Sequence, residues 1–144
     1  MMLSFKKFFV YNAVIKNLLI VVLMFVASFE SYAKELRMPK DIVTELVEAM
    51  AVNDSKRIKA VFSQEATQEY KRWWARKKQG DDFKKWLQSD IIDVHGRVLN
   101  PKLEVNDNQV IVTGTYVNND NYKSTANFLF VVKEGKIVSW TIRY

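Results

Sequence analysis

The feature that most restricts this sequence is a change of period near Ile91. Upstream of it, apolar residues recur every three or four positions; downstream they alternate. The first spacing gives a helix one buried stripe, and the second gives a strand one buried face. Helices followed by a run of strands predict an α+β domain, with N-terminal helices packed on one face of a curved antiparallel β-sheet.

In "MPKDIVTELVEAMAVND", Pro39 suits a first helical turn and Asp41 the positive end of the helix dipole, while Ile42, Val43, Leu46, Val47 and Met50 form one stripe. Asp54 or Ser55 then caps a short helix, "KRIKAVF", that presents Ile58, Val61 and Phe62. Ser63 or Thr67 is placed to cap a third helix containing "EYKRWWARKKQ", from Glu69 to Gln79. Gly80 to Asp82 ends it and starts a fourth, "FKKWLQS". Beyond Ile91, "KLEV", "QVIVTGTYV", "YKSTANFLFVV" and "KIVSWTIRY" read as four strands of an antiparallel meander, with turns at "NDN", "NNDN" and "EG" and a short extra strand at "IIDVHG". Pro101 belongs at a strand start, bulge or edge because it cannot donate to a ladder. Phe128, Phe130 and Val132 alternate with Leu129 and Val131, so one sheet face serves the helices and the other suits a second copy in a homodimer.

The N-terminus has a different grammar. Lys6, Lys7 and Lys16 precede an apolar run from Leu18 to Phe29, and "SYA" supplies small residues at Ser31 and Ala33. This is the pattern of a signal peptide over residues 1–33, and the run is short of the roughly 20 residues of a spanning helix. The expected location is periplasmic or secreted; retention of the leader would instead anchor the chain in an inner membrane, facing the periplasm. With no cysteine, disulfides, thiolate catalysis, cysteine-bound zinc and a lipoprotein anchor are all excluded. Removing 33 of the 144 residues leaves 111, enough for one small domain over residues 34–144. The net charge of +6 falls to +4 once the leader's three lysines and Glu30 are set aside. That is below the charge density of a dedicated nucleic-acid binder, and no nucleic-acid partner is expected.

The order of elements, the segment "AVNDSKRIKAVFS" and the closing "VTGTYV … NFLFVVKEGKIVSWTIRY" resemble the nuclear transport factor 2-like superfamily, which includes ketosteroid isomerases and SnoaL-type proteins. The resemblance covers nearly all of Asp41 to Tyr144 and implies a cone-shaped fold. It also implies either a cone that encloses a ligand or catalytic pocket, or one plugged by side chains in members that bind proteins.

Two groups of residues are candidates for chemistry. If "IIDVHG" is extended, Asp93 and His95 share a face, and a carboxylate beside an imidazole is an acid/base pair; the alternative is a turn histidine beside Gly96. Tyr70, Tyr116 and Tyr144 can serve as oxyanion donors, or as packing residues with a hydroxyl near solvent. The second group is Lys71, Arg72, Trp73, Trp74 and Arg76. On a helix, Tyr70, Trp73 and Trp74 form an aromatic stripe against the sheet with a solvated basic face behind it. The other reading leaves a tryptophan exposed in a basic patch that meets lipid head groups, an acidic envelope polymer or an acidic protein. A single histidine rules out a multi-histidine metal site, and neither a phosphate loop nor a nucleophile elbow is present. No cofactor or metal is expected. These features favour a non-enzymatic exported domain that binds a protein or an anionic envelope component. The alternatives are a small-ligand binder or isomerase-like or hydrolase-like enzyme using the cone, and an accessory subunit of an envelope secretion or conjugation system.

Overall fold

The computed structural model describes residues 14–26 and 37–144, and the chain divides into two units, Met1–Leu36 and Arg37–Tyr144. In the first unit, residues 14–26 form a helix, α1, with exposed apolar side chains. Lys6, Lys7 and the expected cleavage point after Ala33 lie outside the described residues. Among the described residues no helix is long and apolar enough to cross a membrane.

The second unit runs α2 (Pro39–Ala51), α3 (Ser55–Ala60), β1 (Phe62–Tyr70), α4 (Gly80–Trp86), a π-helical turn (Leu87–Ile92), β2 (Arg97–Asn106), β3 (Gln109–Val117), β4 (Lys123–Lys133) and β5 (Lys136–Ile142). The sheet order is β1-β5-β4-β3-β2. The meander β2 to β5 is antiparallel as its alternation predicts, and β1 adds to β5 in parallel, so the sheet is mixed.

Helix α2 begins with Pro39 in its first turn and buries Ile42, Val43, Leu46, Val47, Ala49 and Met50 against the sheet. The Asp54 side chain caps α3 by accepting from the Arg57 backbone N–H at 3.1 Å. Arg57 reaches back with two N–H groups to the Glu45 carboxylate, at 2.7 and 2.9 Å, joining α3 to α2. That bond holds the Glu45 carboxyl below its ordinary value.

The third expected helix does not form. Gln64, Glu65, Ala66, Gln68 and Glu69 carry good intrinsic helix propensity, but the strand they form instead occupies the open edge of β5. Phe62 pairs with Ile137 and Tyr70 with Ile142. Ladder bonds and the burial of Phe62, Ala66 and Gln68 outweigh a propensity worth tenths of a kcal/mol per residue. Likewise "IIDVHG" is no strand: Asp93 N–H donates to Gln88 O at 2.8 Å and Gly96 N–H to Ile91 O at 2.7 Å, both five residues back, and His95 has φ 51°.

Irregularities bend the sheet into a cone. The β2–β3 register shifts between Leu99 and Lys102, where Asn100 has φ 51°, and Pro101 lies within that shift on the edge strand, as its missing donor requires. Opposite, a Cβ at Gly114 (φ 151°) would sit 2.7 Å from the Leu99 carbonyl, so only glycine admits this approach. A second shift lies between Val131 and Val132. The inner face carries the core, centred on Trp140, which is 0 % exposed. Trp140 stacks on Phe62 with ring centroids 6.1 Å apart and meets Trp86 edge-on at 5.0 Å.

Candidate functional site

The π-helical turn buries Leu87, Ile91 and Ile92 and leaves Ser89 and Asp90 exposed. An i→i−5 turn widens the helix and alters which side chains it presents, and such turns recur at functional sites. Here it borders a cavity of about 690 Å³ inside the cone. Trp86, Phe128, Trp140 and Ile142 supply apolar lining, Tyr70, Tyr116, Tyr122 and Tyr144 supply phenols, and Asp90 and Asp120 are the carboxylates. Trp86 and Phe128 line the cone without plugging it.

Hydrogen-bonding capacity is left over in the core behind this lining. The indole N–H groups of Trp86 and Trp140 are buried without an acceptor among the described residues, as is the side-chain amide nitrogen of Gln68. The Trp86 indole stands beside the Tyr70 phenol and partly offsets the burial that raises that phenol's pKa, yet meets no acceptor with hydrogen-bond geometry. A buried donor without a partner costs about 1–3 kcal/mol. Burial pushes the Tyr116 phenol up to about 12, against a smaller opposing effect of Asn118. Its hydroxyl donates to the Asp90 carbonyl at 3.2 Å. Gly96 makes room for it, since a Cβ there would collide with the Tyr116 hydroxyl. Phenols with raised pKa are donors at neutral pH, not bases.

A cleft of about 630 Å³ adjoins the cavity and shares Tyr70, Trp86, Ser89, Asp90 and Tyr144 with it. Its remaining lining is mostly cationic: Arg72, Arg76, Lys77, Lys78 and Lys85, with Trp74 and Asp82. An apolar, donor-bearing chamber thus borders a basic vestibule.

The expected acid/base pair is not assembled. Asp93 and His95 lie on a helical turn, so the extended backbone that would put them on one face is absent. The Asp93 carboxylate accepts from the Gln88 amide at 2.5 Å. His95 Nε2 is 3.1 Å from the Ala51 carbonyl. A carbonyl can only accept, so this nitrogen carries the proton and the ring satisfies the end of α2. Neither residue lines the cavity.

The second candidate group is brought together on a loop. Residues 71–79 connect β1 to α4, and the backbones of Gln68 and Lys78 exchange hydrogen bonds of 2.9 and 2.7 Å. With no helix there is no aromatic stripe: Trp73 is 92 % and Trp74 61 % exposed. The Arg72 guanidinium lies over the Tyr144 ring at 4.1 Å and the Trp74 ring at 5.9 Å. Lys71, Arg72 and Arg76 are exposed beside them.

The architecture has close counterparts in solved structures. An NTF2-like protein of unknown function from Cytophaga hutchinsonii superposes with TM-score 0.62 at 15 % identity, covering 73 % of this chain and 88 % of that one. A proposed polyketide cyclase from Sinorhizobium meliloti gives 0.58 at 20 % identity over 71 % and 93 % of the two chains. A proposed ketosteroid isomerase from Kribbella flavida gives 0.61 at 10 % identity over 73 % and 76 %. At these identities the likeness defines the fold: residues 37–144 adopt the nuclear transport factor 2-like fold. Comparisons with family models and with curated protein sequences give no match.

The sequence reading passed over Asp90, Tyr122 and Ser89. The adjacent "LQSDII" was legible only as the end of a short helix, because a π-turn has no composition of its own.

Proposed function

We propose that this chain is an exported small-molecule binding protein, whose cone holds an apolar compound bearing an acceptor oxygen or anionic group. One observation carries the reading: a cavity of about 690 Å³ lined by the apolar side chains of Trp86, Phe128, Trp140 and Ile142 and by the phenols of Tyr70, Tyr116, Tyr122 and Tyr144. A site that is mostly apolar with a few convergent polar groups is the usual form of a small-molecule pocket. The neighbouring cationic cleft favours the approach of an anion and its orientation, charged end outward. The basic and apolar N-terminal sequence supports export. The solved neighbours described as polyketide cyclase and ketosteroid isomerase are consistent with a ligand-accepting cone.

Thermal melts with straight-chain and aromatic carboxylates, each matched to its alcohol, test the reading. Carboxylates are expected to raise the melting temperature more than the alcohols; ligand at a hundredfold excess over Kd adds about 2.7 kcal/mol. Ser89→Trp, at the boundary of cavity and cleft, is expected to abolish the effect. Absence of any shift across both series would exclude this reading.

A further inference from the structure

We infer that the loop of residues 71–78 docks the protein onto an anionic lipid bilayer through Trp73 and Trp74. The loop holds five cations (Lys71, Arg72, Arg76, Lys77 and Lys78) and no acidic residue. None of the five forms an ion pair among the described residues. At its centre are two adjacent tryptophans, 92 % and 61 % exposed, packed edge-on to each other at 5.1 Å and against no part of the core. A folded domain gains nothing from holding two indoles in water, so an exposed pair this large marks a contact surface.

Charge and chemistry together choose the partner. Cations alone would suit any polyanion, whereas tryptophan flanked by lysine and arginine is the composition that settles at the membrane interface, with the ring at headgroup depth and the cations on acidic headgroups. The loop is held ready for this: its ends are tied by the Gln68–Lys78 backbone pair and by Lys71 N–H donating to Ile142 O at 2.8 Å, and Arg72 is clasped between Tyr144 and Trp74. Docking through these residues would turn the basic cleft toward the lipid. The inference stands whether or not the cone takes a ligand.

The test uses the full chain with vesicles whose acyl chains are brominated and quench tryptophan on contact. Trp86 and Trp140 are 4 % and 0 % exposed and stay beyond reach of the quencher, so the signal reports on Trp73 and Trp74 even if the N-terminal segment also inserts. Phosphatidylglycerol vesicles at low salt are expected to quench the fluorescence, and phosphatidylcholine vesicles much less. The quenching should be lost in Trp73→Phe/Trp74→Phe, and Arg76→Glu/Lys77→Glu should remove the preference for the anionic lipid. No quenching by phosphatidylglycerol, or equal quenching by both lipids, would overturn the inference. So would a response of the same tryptophans to soluble polyglutamate alone, which would assign the loop to acidic macromolecules.

Discussion

The four tryptophans divide into two pairs with opposite surroundings. Trp86 and Trp140 sit in the core and touch each other, Trp140 also meeting Phe128 and Phe130 and Trp86 meeting Phe83, whereas Trp73 and Trp74 touch each other and are largely exposed. The buried pair does two things at once: its rings hold the helices to the sheet and also form part of the lining of the cavity. The exposed pair contributes to neither. The contrast separates residues that build the core from residues that the core does not need.

Substitutions can break that division. The largest effect is expected for Trp140→Ala, which removes the centre of the core and should lower unfolding free energy by about 3–5 kcal/mol in denaturant melts. A loss below about 1 kcal/mol would show that the core does not depend on this ring. Tyr116→Phe should cost less, about 1 kcal/mol for the bond to the Asp90 carbonyl. It should also change the alkaline limb. The folded phenol keeps its proton to about 12 whereas the ordinary value is 10.0, so between these values the folded state binds more protons. Stability therefore falls as pH rises through that window, and Tyr116→Phe should flatten the fall. The smallest effect is expected for Trp73→Ala/Trp74→Ala, within about 0.5 kcal/mol of the parent at neutral pH. A clear destabilisation there would give the exposed pair a folding role and erase the contrast.

How much was readable in advance follows the same division. The meander, its turns, the amphipathic α2 and the placing of Pro101 were legible because period and turn chemistry are local properties. The strand β1 was not: "SQEATQEY" carries helix formers, and its partner Ile137–Ile142 lies some seventy residues away. That one misreading carried the tryptophans with it, since the aromatic stripe required a helix. The cavity was illegible for a related reason. Tyr70, Asp90, Tyr116 and Trp140 come from four elements, and no spacing links them. Asp93 and His95 attracted notice as chemically suggestive neighbours, yet a left-handed residue and a helical turn point them at Gln88 and Ala51.

The parallel pairing of β1 with β5 also orders events in time. The hairpins β2–β3, β3–β4 and β4–β5 close across short turns, so their loop-closure entropy is small. Joining Phe62 to Ile137 closes a far longer loop and rewards the chain only once β5 is in place, the kind of non-local step that slows folding. The meander can nucleate alone, while β1, the tryptophan loop behind it and the wall that Tyr70 adds to the cone must be assembled late. A refolding chain is therefore expected to acquire its sheet before it acquires its mouth.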